Sequence, residues 1–520
     1  MISQRLRLED NVVLSGTHTH SGPAGYFQYT LFMISCKGFM KESIEPLVNG
    51  IVKSIDIAHS SIRPGRIFRS RGELEDSSLN RSPHSYLNNP ESERHRYTNS
   101  QRTKYKWNTD KQVLVLKFTD LDGDGIATTW DTPPTCWSRT RTAGSCLDSN
   151  LGDVSPNTKG PHCMNTGLPC DYLNSSCPVG GTKQCGAFGP GADMFESTRI
   201  IGHSIYMKAK VSCMVTAVEE VTGVLHLAHQ WVNMTDVTVQ INATHTGDPF
   251  WDRIRDALVG VPSNKTQACH HPKPILFNTG STMSGRRLRE AVKQELQSEG
   301  AFRDLEVVIA GLSNIYTHYI TTFEEYQVQR YEGASTIYGP HTLSAYLQKY
   351  RGLARAIAQD RVSELPVGPE PPFFTEKLFN LLPAPSIDRK PVNTSFGDVL
   401  QQVLPVYRPG DVVSVTFVAG NPRNSGDIRD KTFVTVEIHD NRTNTWEVVY
   451  TDASWETRFH WLKGSFQRSK ATVDWFVPAA APSGSYRIKH FGNFKEKKDV
   501  FKPYEGTSDV FTVTDSFYYQ

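Results

Sequence analysis

No run of about 18 apolar residues occurs in the sequence, so nothing in it reads as a membrane-spanning helix. An excess of either charge is also missing. The chain carries 56 Lys and Arg against 54 Asp and Glu, a formal net charge of +2. That balance argues against a nucleic-acid partner, because such binders usually present a basic patch or stripe. The opening residues "MISQRLRLED" are charged and lack the apolar core of a signal peptide. No G-x-S-x-G nucleophile elbow is present, and no internal repeat. Cys163, Cys170, Cys177 and Cys185 fall in one Gly/Pro/Asn-rich segment without any CxxC pair. Zinc ribbons need such close pairs, so a disulfide-stapled loop is the expectation.

What is there is ordinary for a globular protein with substantial cores: 38% hydrophobic and 21% charged residues over 520 positions. That length suggests two to four domains. Seven N-x-[ST] acceptors begin at Asn80, Asn174, Asn233, Asn242, Asn264, Asn393 and Asn441. With the clustered cysteines they point to a secreted or lumenal glycoprotein.

Residues 37–60 predict an amphipathic helix with Ile44, Leu47, Ile51 and Ile55 on one face. Further helices are expected at 194–219, 285–299 and 341–361. "KQVLVLKFTD" reads as a strand running into "DLDGDG", which lacks the downstream glutamate of an EF-hand and predicts a tight acidic turn. Residues 126–148 show neither period and are expected as irregular surface chain. Mixed helices and strands predict an α/β catalytic body with mixed sheets over 1–365. "PVGPEPPFF" begins a proline-rich linker over 366–390. Over 391–520 short alternating strands predict an all-β, immunoglobulin-like sandwich of about seven strands.

Two short stretches could carry chemistry. In "SGTHTHSGPAG", His18 and His20 are two apart and project to one face of an extended chain, with a polar strand end as the alternative. In "SNLGDVSPN", Ser155 precedes a proline that holds it extended, and Asp153 and Asn157 flank it; by composition alone it is a turn. Together these stretches resemble neutral ceramidases. So do "NRSPHSYLNNP", "CMNTG", "HQWVNMTDVTV", "TMSGRRLREAV", "TDASWETRF" and "GLSNIYTHYITTFEEYQVQRYEGASTIYGPHTLSAY". The resemblance extends over nearly the whole chain.

The resemblance implies hydrolysis of the N-acyl amide of ceramide, drawn from membrane or micellar lipid, by an extracellular or plasma-membrane-surface enzyme using one Zn2+. It implies Ser155 as nucleophile, His20 beside it, and Arg81 and Tyr331 at the reacting amide. His18 and Tyr319 match zinc ligands. Asp452, Ser454 and Thr457 match a Ca2+ site, with an ordinary polar turn as the alternative. By analogy Cys163 pairs with Cys177 and Cys170 with Cys185. Measured against the family, the chain lacks a second zinc histidine between "DLDGDG" and "GDVSPN". It also lacks a zinc glutamate just before "TMSGRRLREAV" and a cysteine-containing stretch after "INATH". His270 and His271 are expected as loop residues rather than substitutes. A catalytically impaired form is therefore the alternative reading.

Overall fold

The computed structural model describes residues 12–16, 18, 22–94, 107–131, 143–147, 152–171, 176–177, 185–212, 219–234, 237–242, 245–246, 253, 279–298, 300, 302, 305–314, 316, 318–369, 373–376, 378–424, 432–498 and 500–514. They divide into two compact units, Met1–Asn380 and Leu381–Gln520.

The first unit is built on a five-stranded mixed sheet. Its strands are β1 (Gly65–Glu73), β3 (Gln112–Asp120), β4 (Gly125–Asp131), β5 (Ala143–Leu147) and β9 (Glu219–Glu220), in the order β5-β4-β3-β1-β9. β1 runs antiparallel to β3 and β9, β3 runs antiparallel to β4, and β5 joins β4 in parallel. The acidic turn lies between β3 and β4. There Asp120 accepts from the Asp124 N–H at 2.9 Å and Gly123 takes φ 93°, which a Cβ would oppose.

Helix Met194–Val211 starts where Asp193 accepts from the Glu196 N–H at 2.7 Å, an N-cap bond. Its Ile201, Ile205 and Ala209, four apart, pack on Val113 and Val115 of β3. Each of these isoleucines and valines contributes roughly 1.5–3 kcal/mol when fully buried. The other expected helices lie at Lys41–Ser60, Thr282–Ser298 and Thr342–Ala358. In the first, Val48 is buried and Leu47 is exposed, so the inward stripe runs through Val48 instead.

Residues 126–148 correct a sequence expectation. Backbone pairing makes strands of 125–131 and 143–147, where side-chain pattern gave no period, while 132–142 and 148 lie outside the described residues. Asn80 is a second correction. Its side chain is fully buried and donates to Asp153 at 2.8 Å, so this sequon is no surface acceptor. Asn393 and Asn441 are exposed.

The stretch 366–390 is tied down at several points. Val367 and Phe379 accept from the Trp231 and Phe39 N–H groups. Within the second unit, Asp388 accepts from Asn421 N at 3.0 Å and Asn424 Nδ2 at 2.6 Å.

The second unit is all β among its described residues, with ten strands in two sheets. One sheet holds four strands and the other six. Alternate residues of both sheets (Val413, Val415 and Phe417, Val434 and Val436, Trp475, Tyr486 and Ile488) share one buried core. Strands Thr457–Lys463 and Val500–Thr507 went unseen in the sequence, because both are largely solvent-facing and keep no clean alternation.

Candidate active site

The site grows from a two-stranded ladder. β2 (Leu79–Asn80) pairs with β6 (Val154–Ser155), with Leu79 opposite Ser155. The pairing continues through the Arg81 N–H, which donates to the Asp153 carbonyl at 2.7 Å. "NRSP" and "GDVSP" are thereby laid side by side although more than 70 residues separate them.

Asp153 sits beneath this ladder, buried. Its Oδ2 accepts from Asn80, and its Oδ1 accepts from Thr282 N at 2.7 Å and Thr282 Oγ1 at 2.8 Å. Burial, then the negative fields of Glu325 and Glu332, push its pKa up to about 7, against the pull of the Thr282 bonds. Glu325 is equally enclosed. It accepts from Ser281 Oγ at 2.5 Å and Asn89 Nδ2 at 2.8 Å, and burial raises its pKa too.

Arg81 lies above. Its Nε donates to the buried Glu332 at 2.8 Å. Its Nη2 donates to the Gly152 carbonyl at 2.6 Å and to the Tyr319 hydroxyl at 3.2 Å. The guanidinium carbon stands 4.9 Å from the Tyr331 ring centroid, a cation–π contact. Tyr319 and Tyr331 meet edge to face at 5.5 Å. Tyr319 is buried on a short strand beside Thr279–Gly280, and the Gly280 carbonyl in turn accepts from Gly152 N. Tyr331 is 64% exposed at the opening helical turn Tyr331–Ala334. Burial raises the Tyr319 pKa, against the lowering pull of Arg81.

Among the described residues the structure therefore joins Arg81, Tyr319 and Tyr331 directly, and Ser155 through its ladder. Ser155 is 9% exposed, and its Oγ accepts from the Asn157 N–H at 3.2 Å. His18 is half-buried with φ 59°. The run before it is bridged to the segment leading into Tyr319, through Ser15 opposite Ser313 and Gly16 N donating to Leu312 O at 3.2 Å. His20, His270 and His271 lie outside the described residues.

Sequence reasoning missed Glu332, which neutralises Arg81 and also accepts from Ser82 Oγ at 2.6 Å. The signal was its place beside Tyr331 in "RYEG". It also missed His318, which stacks on Phe32 at 5.3 Å and whose pKa burial lowers.

Two implied metals can be tested on the donors present. The zinc donors assigned by resemblance are one imidazole, His18, and one phenol, Tyr319. A catalytic zinc usually takes three protein ligands and an open position. Among the described residues the only gathering of three or more His, Cys, Asp or Glu donors is the four cysteines. Among the described residues the donor set does not fit a catalytic zinc. For calcium, Asp452 accepts from Thr432 Oγ1 and from Phe433 N, the latter at 3.0 Å. Ser454 Oγ accepts from Thr451 N at 3.0 Å, and Thr457 Oγ1 donates to Thr451 O at 2.6 Å. These groups satisfy one another as a polar turn, whereas a calcium ion takes 6–8 oxygens.

The cysteine pairing is as the analogy implied: Cys163 with Cys177 and Cys170 with Cys185, at Cα separations of 5.7 and 6.4 Å.

Comparison with known proteins gives a consistent picture. The family profile described as "Neutral/alkaline non-lysosomal ceramidase, N-terminal" matches residues 4–143, 138–248 and 281–348, and its C-terminal counterpart matches 350–513. Neutral ceramidase 3 of Arabidopsis thaliana is 35% identical over 640 positions, covering 98% of this chain and 85% of that protein. Neutral ceramidase B of Dictyostelium discoideum is 35% identical, covering 97% and 82%. The crystal structure of neutral ceramidase from Pseudomonas aeruginosa superposes with a TM-score of 0.79 at 28% identity, covering 99% of this chain and 88% of that one. A second, a ceramidase complexed with C2, gives 0.78 at 27%, covering 98% and 88%.

Proposed function

This chain belongs to the neutral/alkaline non-lysosomal ceramidase family, and on that premise we propose that it hydrolyses the N-acyl amide of ceramide to sphingosine and a fatty acid. Its class is that of hydrolases acting on a linear amide. The observation that carries the proposal is Arg81: with Nε and Nη2 engaged, its Nη1 has no partner among the described residues. A fixed cation with both N–H groups of Nη1 to spare suits the oxygen on which charge develops as an amide carbonyl is attacked. One such donor is worth about 3 kcal/mol. The exposed Tyr331 phenol beside it is a second donor.

Ser155 is the assigned nucleophile. Its Oγ gives up its proton and bonds to the carbonyl carbon, the C–N bond breaks, and the leaving nitrogen takes up that proton. Water then cleaves the ester and returns the serine. His20 is its assigned neighbour. Substrate reaches the site from membrane or micellar lipid. Two disulfides support an oxidising, extracellular setting, and no helix among the described residues is long and apolar enough to cross a membrane. The two C-terminal sheets with their common core support an immunoglobulin-like sandwich.

Zinc dependence is the family expectation, and the donors present do not complete the site, so none of these steps runs through the metal. A second reading follows, that turnover in this chain is impaired. The N-terminal profile is broken at 138–143 and between 248 and 281, where the second zinc histidine and the zinc glutamate would fall. The Arabidopsis match also spans 640 positions against a chain of 520, which requires gaps in this chain. The test expresses the chain beside a version with both ligand segments restored, and measures bound zinc and ceramide hydrolysis. Higher zinc and turnover in the restored version are expected. Equal values in both overturn the impairment, and absence of ceramide hydrolysis in both overturns the ceramidase reading.

A further inference from the structure

The second unit distributes its charge unevenly. Residues 381–520 hold 17 Lys and Arg against 16 Asp and Glu. Yet residues 387–389, 462–470 and 495–502 together hold eight of those cations and only three of the acids. Backbone bonds bring the three stretches together. Asp388 N donates to Lys495 O at 2.9 Å, and Arg389 N donates to Gln467 O at 3.1 Å. Successive N–H groups of an extended chain point opposite ways, so 388–389 runs between the ends of two hairpins. One joins strands Thr457–Lys463 and Ser469–Phe476, the other Gly484–Lys497 and Val500–Thr507. Strand spacing on each side sets the two ends roughly 10 Å apart, about one Debye length, so their charges act as one field. Of the three acids, Asp388 is buried and accepts from Asn421 N, Asn424 Nδ2 and Lys495 N. Glu496 accepts from Lys502 Nζ at 2.7 Å, and Asp499 lies outside the described residues. Arg389, Lys463, Arg468, Lys470, Lys497 and Lys498 are exposed, with no acidic partner among the described residues.

Apolar side chains stand among these cations. Phe466 is 75% exposed, Leu462 57% and Phe501 49%. Phe466 sits at φ 55° and Gln467 at φ 63°, a left-handed region that residues bearing a Cβ rarely adopt. The turn is nonetheless closed, by Gly464 N donating to Arg468 O at 2.6 Å and Arg468 N to Ser465 O at 3.2 Å. It thus holds a phenyl ring out in water at a backbone cost, and strain of that kind collects at ligand contacts. We propose that these two hairpin ends form a docking surface for a lipid bilayer whose headgroups carry negative charge. The cations meet the headgroups, and Phe466, Leu462 and Phe501 enter the boundary between headgroups and acyl chains. A sulfated polysaccharide would match the cations but has no hydrocarbon layer for the apolar side chains, so the bilayer is the partner the chemistry selects. The surface belongs to the second unit and uses no step of the hydrolysis, so it stands or falls apart from the ceramidase reading.

The test is co-sedimentation of the full chain with phosphatidylcholine vesicles, with and without a third of phosphatidylglycerol. Partition is expected to be roughly tenfold or more higher with phosphatidylglycerol, and to fall as salt is raised. Each cation near such a surface is worth about fivefold in partition, so Lys463→Glu with Arg468→Glu should lower it by roughly 25-fold or more. Phe466→Ser should lower it several-fold at every salt concentration. Arg442→Gln, at an exposed cation towards the opposite end of the six-stranded sheet, should leave it unchanged. The salt dependence is read on the unaltered chain, so the outcome does not hang on a variant folding. Equal partition onto both vesicles, partition that salt leaves unmoved, or charge reversal without effect would each overturn the surface. Loss on charge reversal with none on Phe466→Ser would overturn the bilayer in favour of a purely charged partner such as a sulfated polysaccharide.

Discussion

Arg81 and Asp153 show how single side chains are set by what encloses them. Arg81→Ala would leave the Glu332 carboxylate buried with Ser82 as its remaining partner. Breaking a buried pair costs 3–5 kcal/mol, and the Arg81 side chain is 40% exposed, so about 2–3 kcal/mol is expected. Urea denaturation measures it, and any residual ceramide hydrolysis should fall in the same variant. Asp153 makes stability depend on pH. Its folded pKa lies above the unfolded value, so the folded state holds the proton more tightly and stability falls as pH rises from about 4 to about 7. Asp153→Asn keeps an oxygen for Thr282 but turns an amide toward the Asn80 amide, whose own oxygen is held by Ser82 N. A flatter pH slope is therefore expected even where the variant is less stable. Denaturation midpoints between pH 4 and 7.5 test it, and an unchanged slope would count against the assignment.

The elements that hold the site are short, so their ends matter more than their length. Helix Phe323–Val328 begins with a capping box: Glu325 N donates to Thr322 Oγ1 at 3.1 Å, and Thr322 N donates to Glu325 at 3.1 Å. Thr322 also donates to Asn89 Oδ1 at 2.7 Å, tying this helix to Pro83–Leu87 and hence to Arg81. Thr322→Ala should cost about 1–2 kcal/mol and loosen Arg81 through Asn89; thermal denaturation reads the first effect. The sequence made the long helices legible because their apolar residues recur at helical spacing over several turns. It could not make β4 and β5 legible, because those strands exist through pairing with β3 and with each other, and pairing leaves no mark on side-chain order.

At the scale of the molecule, the second unit has its own core, and Trp475, Tyr486, Phe417 and Phe511 within it are almost wholly buried. Residues 381–520 expressed alone are expected to melt in one cooperative transition, and Trp475→Ala should remove about 3–5 kcal/mol from it. A broad, non-cooperative melt would show that this core needs the first unit. The sequence by itself determined the family, through long runs such as "GLSNIYTHYITTFEEYQVQRYEG". It also determined the two textures of the chain, because helical and alternating periods are local. Tertiary structure alone decided that Arg81 takes Glu332 as its counter-ion, that Asn80 is buried rather than glycosylated, and that four sulfurs crowd together. These are contacts between residues far apart in the chain, or turned inward by packing, and residue order fixes neither the distance nor the dielectric between them.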